Sequence, residues 1–151
     1  MILMSQLNIG RTIFVVTGVS LRAEQMDRPL AYGLADVIRQ RIAPDSPWKP
    51  LVVSDVIYLN DDRVARCPTI SLGGPGVNQL SQMLFGELPS VLAIDNSLII
   101  QMDIELKDAR CCLWGMDHEQ TVQAIDLFRE RGYLDTFLKG VTGGQATATD
   151  A

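Results

Sequence analysis

One histidine and three cysteines are all the imidazole and thiol metal ligands in 151 residues, and only 6% of the residues are aromatic. A multi-histidine zinc centre is excluded on that count. Cys67, Cys111 and Cys112 are odd in number and two are adjacent, which does not make a disulfide framework. Neighbours in a strand point to opposite faces, so Cys111 and Cys112 are not expected to pair. A reducing cytoplasm is the expected compartment. No run of about 18 uncharged apolar residues occurs, so no membrane span and no membrane partner are expected. Met1-Ile2-Leu3-Met4 is apolar but lacks the charged start and long apolar stretch of a signal peptide. Lysine and arginine nowhere cluster and the formal net charge is −5, which argues against a nucleic-acid partner.

Three nucleotide and hydrolase signatures are also missing. The chain has no Gly-x-Gly-x-x-Gly, no lysine-bearing P-loop and no Gly-x-Ser-x-Gly. No cofactor and no metal are therefore expected.

What the chain has is apolar residues, 47% of the total, enough for a core and too many for intrinsic disorder. A single α/β domain over residues 1–139 is expected, with a flexible Gly/Thr/Ala-rich tail over 140–151. Thr12 to Thr17 reads as a buried strand, too short and too β-branched for a helix. Leu30, Leu34, Val37, Ile38 and Ile42 recur at helical spacing, with Asp27 as the expected N-cap and Pro29 in the first turn. Leu51-Val52-Val53 is a second strand, and Ser54 is read as capping a short helix to Leu59. Thr69 to Leu72 is a third strand, followed by a helix that turns Val77, Leu80, Leu84, Phe85 and Leu88 inward. Two apolar runs around Asp95-Asn96 predict a β-hairpin near 91–102. Ala109 to Trp114 is a further strand. Asp117 opens the last long helix, and Gly132 ends it at the C′ position, with Tyr133 to Leu138 as a further turn or two. The order of elements predicts a three-layer sandwich around a mixed, mostly parallel sheet, Rossmann-like or flavodoxin-like in outline.

Ligands of such sheets collect at the carboxyl ends of the strands. Four segments then come forward: Thr17 to Ser20, Ser54-Asp55, Gly73 to Asn78, and Trp114 to His118. Gly73, Gly74 and Gly76 could let backbone N–H groups approach an anion at a helix N-terminus, with Asn78 donating an amide. Against this, Pro75 removes a donor, and Asn78 could instead be packed across the sheet edge. Ser20 and Arg22 stand near enough in sequence to join the same site. Asp55 sits where a dinucleotide-binding fold places its ribose-binding acid, without the glycine fingerprint that should accompany it. Asp117 and His118 are the candidates for acid/base work, with helix capping and surface decoration as their plain alternatives. Mid-strand Cys111 and Cys112 look like packing residues.

The Gly73-Gly74-Pro75-Gly76-Val77-Asn78 turn, paired with the later Trp114-Gly115-Met116-Asp117-His118-Glu119-Gln120-Thr121 helix start, resembles small α/β domains of prokaryotic proteins. Parts of archaeal surface-layer proteins with Gly-Gly-Pro-x-x-Asn turns are among them. The resemblance covers about residues 69–128. It implies an α/β turn architecture and assigns no catalytic residues.

Two functions are consistent with these residues. One is a domain that holds a small phosphate- or carboxylate-bearing ligand at the carboxyl edge of the sheet. The other is a non-enzymatic interaction module, a homo-oligomer, that buries the apolar hairpin against another chain.

Overall fold

A computed structural model describes residues 7–143 of the chain. Strand β1 (Thr12–Thr17) is buried at all six positions, as a strand covered on both faces must be. Helix α1 (Arg28–Arg41) returns the chain to β2 (Lys49–Ser54), which pairs with β1 in parallel. Ser54 Oγ accepts from Ile57 N at 3.2 Å and so caps α2 (Asp55–Leu59), as expected. The chain then crosses to the other side of β1, where β3 (Thr69–Leu72) pairs with it in parallel. After α3 (Gln79–Phe85) come the hairpin strands β4 (Ser90–Ile94) and β5 (Leu98–Met102). Strand β6 (Arg110–Gly115) enters between β3 and β5, and α4 (His118–Glu130) and α5 (Tyr133–Thr142) follow.

The six strands lie in the order β2-β1-β3-β6-β5-β4. Five run in one direction, β2, β1, β3 and β6 as parallel neighbours, while β5 runs against both β4 and β6. The sheet is therefore mixed and mostly parallel, within an α/β fold. Alternate residues of each strand feed different cores. Ile13, Val15, Ile70, Leu72, Cys111 and Leu113 join the buried side chains of α1, α4 and α5. Phe14, Val16 and Cys112 join Tyr58 of α2 and Leu80 and Leu84 of α3. This double burial is why the parallel strands read as continuous apolar runs. Among the described residues no helix is long and apolar enough to cross a membrane.

Four local expectations change. Asp27 is not an N-cap: its backbone is already helical and its side chain caps nothing. The helix begins earlier, at Leu21, and widens into a π turn over Ala23–Asp27 before α1. The actual cap is Ser20, whose Oγ accepts from Ala23 N at 3.1 Å. The hairpin loop has three residues, with Ser97 N donating to Ile94 O and Asn96 at φ 56°, a conformation asparagine tolerates well. Phe85 ends α3 half-exposed, and Leu88 reaches the core from beyond the helix. Finally, α5 runs on through Gly140 and Val141 to the buried Thr142, into the stretch expected to be tail. Residues 144–151 of that tail lie outside the described residues.

Candidate functional site

The chain leaves β1 in two directions, out to β2 and back across to β3, so the carboxyl ends of β1 and β3 form a topological switch point. Two close approaches shape the ground beside it. A Cβ on Gly18 would lie 1.7 Å from Val77 O, so the glycine turn after β3 rests on the end of β1. A Cβ on Gly115 would lie 2.4 Å from Thr121 N, so the first turn of α4 rests on the end of β6. Gly73 takes φ 99°, which releases the chain from β3 into the turn. Between the turn and the start of α4 opens a cleft of about 250 Å³.

The structure brings together most of the residues selected from the sequence. Arg22, Gly73, Gly74, Gly76, Asp117 and His118 all line the cleft. Among the described residues, the N–H groups of Gly74 and Gly76 make no hydrogen bond within the protein. Side chains would meet nothing within 4 Å at Gly76, so packing does not require glycine there. Thirteen-residue α4 points its N-terminus at the cleft, which favours negative charge in a ligand.

Other selected residues are committed to the fold. Asn78 is 1% exposed and uses its whole amide internally. Its Nδ2 donates to Val16 O at 3.1 Å and Leu72 O at 2.8 Å, tying β1 to β3. Its Oδ1 accepts from Leu80 N and Ser81 N, capping α3. Asn78 therefore does not face the cleft as a ligand donor, and Ser20, the cap of the first helix, does not line it either. Asp55 is likewise structural: it accepts from Val56 N at 2.7 Å and from Gln79 N at 2.8 Å, leaving no ribose-binding acid. Asp117 lines the cleft but its Oδ1 accepts from Gln120 N at 2.8 Å as the N-cap of α4. His118 keeps a buried Nδ1 without a hydrogen-bond partner, and the exposed Asp117 keeps its Oδ2.

The structure adds a residue that the sequence presents only as a cap. Asp27 is 8% exposed, and its Oδ2 lies 2.8 Å from where a Cβ on Gly73 would stand. The π turn, one residue wider than an α turn, sets this carboxylate against the glycine loop. Burial raises its pKa above the ordinary carboxylate value, while the charges of His118 and Arg22 pull it down. No hydrogen bond to the Asp27 carboxylate exists among the described residues, and no ion pair joins it to His118 or Arg22. Trp114 forms another wall. Its ring sits against Gly74, near Phe85 at 6.1 Å between ring centres, and its buried Nε1 has no partner.

The cysteines take no part. Burial pushes the Cys112 thiol up to about 11 and the Cys111 thiol well above the ordinary value, so neither offers a thiolate. Cys67 is half-buried, and desolvation raises its pKa as well. Among the described residues no group of histidine, cysteine and carboxylate side chains is placed to hold a metal ion.

No family model, curated protein or solved structure matches the chain. What the cleft does has to be read from its own geometry.

Proposed function

We propose that the chain is a Rossmann-like, three-layer α/β domain of the cytoplasm that binds a small phosphate- or carboxylate-bearing molecule in the cleft between the glycine turn and α4. The observation that carries this reading is the convergence of unspent donors on one concave surface. Gly74 and Gly76, whose N–H groups make no hydrogen bond among the described residues, Arg22 and the first residues of α4 all border it. At about 250 Å³ the space is just below the range of about 300–1,000 Å³ usual for drug-sized ligands. It suits a molecule smaller than a nucleotide, in keeping with the missing nucleotide fingerprints.

Thermal unfolding with inorganic phosphate and a set of small mono- and dicarboxylates tests the proposal. A ligand present at 100 times its Kd stabilises by about 2.7 kcal/mol, enough to raise Tm by several degrees. Arg22→Ala, an exposed substitution, should reduce that rise and leave the unliganded Tm in place. No rise with any of these anions, on protein shown to be folded, would overturn the reading.

A second reading, self-association, is favoured by one observation. Strand β4 is a sheet edge, with Ala93 and Ile94 exposed. A dimer built on that edge is compatible with the cleft, which lies on the other side of β6.

A further inference from the structure

A cleft built for a simple anion should not contain an unpaired buried carboxylate, because two negative charges at close range repel. Asp27 is such a carboxylate. The residue is 8% exposed and lines the cleft. Among the described residues its carboxylate accepts no hydrogen bond, and its oxygens are not sealed off but open onto the cleft. It also stands against Gly73, one residue from the free N–H of Gly74. An acceptor and a set of anion-binding donors therefore share a space only a few atoms across. His118 and Arg22 do not neutralise Asp27 by contact, so its carboxylate is left to whatever occupies the cleft, water or a cationic group of a ligand.

We propose that the cleft binds a zwitterion of the α-amino acid class, with the ligand ammonium on Asp27 and its carboxylate on the Gly74 and Gly76 N–H groups, Arg22 and the N-terminus of α4. In an α-amino acid one carbon separates the two charged groups, which matches an acceptor and donors contributed by adjacent stretches of backbone. The ligand ammonium supplies the three donors that the Asp27 carboxylate lacks. Met26, Pro75, Val77, Trp114 and Met116 give the cleft a largely apolar wall, so an apolar ligand side chain fits it. Asp117 also borders the cleft; its Oδ1 is held by the Gln120 N–H at the exposed start of α4, whereas both oxygens of the more deeply set Asp27 lack a protein donor among the described residues. The proposal rests on the anion-binding reading above and adds the second charge.

The experiment is calorimetric titration at neutral pH with L-leucine, 4-methylpentanoate, which lacks the ammonium, and 3-methylbutylamine, which lacks the carboxylate. L-Methionine and L-phenylalanine serve as further zwitterions. The zwitterions should bind at least about tenfold more tightly than either truncated analogue, each lost charge-assisted contact costing at least about 1.4 kcal/mol. Asp27→Asn should lose that tenfold for leucine and leave 4-methylpentanoate unchanged or slightly tighter. Arg22→Ala should weaken leucine and 4-methylpentanoate alike. Circular dichroism of each variant separates loss of binding from loss of fold, and Asp27→Glu, which keeps the charge, should recover part of the leucine affinity. Equal affinity of wild-type protein for leucine and 4-methylpentanoate would overturn the zwitterion proposal and leave the anion site standing. Failure of all the amino acids, with phosphate or dicarboxylates still binding, would do the same. If none of these compounds binds, both proposals fall.

Discussion

Burial of the Asp27 carboxylate without a hydrogen-bond partner raises its pKa, against the pull of His118 and Arg22, and so ties stability to pH. Asp117 borders the same cleft, and Glu24 and Arg28 pair with each other on the helix that carries Asp27. Between the ordinary carboxylate value of 3.8 and the raised folded value, the folded chain holds this proton more tightly than the unfolded chain does. Stability from this group is present in full below 3.8 and is lost as pH rises through the folded value. Asp27→Asn should therefore raise the neutral-pH stability of the unliganded protein by about 1–3 kcal/mol, or about 2–4 °C in Tm for each kcal/mol. Melting curves at pH 7 and at a pH below the ordinary carboxylate value should converge for the two proteins at the acid end. A variant that melts lower at both would show that Asp27 supports the fold instead of the ligand. Asn78 is the contrasting residue. Asn78→Ala removes a helix cap and two hydrogen bonds to buried strand carbonyls, which should cost about 3 kcal/mol in urea unfolding. A variant of unchanged stability that had lost only ligand binding would restore Asn78 as a ligand residue. Both of its readings were open in the sequence, because an asparagine after a glycine turn caps a helix and binds an anion with the same atoms.

At the scale of elements, the cleft depends on how closely the first turn of α4 lies against β6. Gly115 sets that distance, since a Cβ there would stand 2.3 Å from the Gln120 carbonyl carbon. Backbone, unlike a side-chain tip, cannot turn aside. Gly115→Ala should displace the start of α4, destabilise the protein by about 1–3 kcal/mol and weaken ligand binding together. Gly76→Ala meets open space and should change stability by less than about 1 kcal/mol. Equal losses at the two glycines would mean that the turn, not the helix contact, limits the site. The elements themselves were largely legible: β1, β3, the hairpin and the capped start of α4 at Asp117 follow from apolar runs, turn residues and a cap. The π turn over Ala23–Asp27 was not. Its sequence carries no mark that separates it from an ordinary first helical turn, and tertiary fit at the sheet edge decides it.

Across the whole molecule, the two edges of the sheet are unlike. Edge strand β2 carries Lys49 and Pro50, a charge and a residue without an N–H, both of which discourage pairing with another chain. Edge strand β4, Ser90–Ile94, carries neither, and Ile94 is 45% exposed. If the protein self-associates, β4 is the edge that does it. Light scattering at micromolar concentration should then show a dimer that Ile94→Lys converts to monomer with little change in Tm. A wild-type monomer would remove the association reading and leave the cleft unaffected.

The sequence by itself determined the alternation of strands and helices, the double burial of the early strands and the identity of the glycine turn, because each is written in a local pattern of apolar and turn residues. It also placed Arg22, Gly73, Gly74, Gly76, Asp117 and His118 near one edge through the general rule for α/β sheets. Only the tertiary structure decided which of these stay free. A hydrogen bond from a residue's amide to Val16 O, 62 positions away, cannot be read from spacing, and it removes Asn78 from the site. The π turn and the crossing from β2 back to β3 likewise bring Asp27 against Gly73, 46 positions further along the chain. Charge and burial at one point depend on what every neighbouring element leaves unpaired, and that is a property of the folded chain alone.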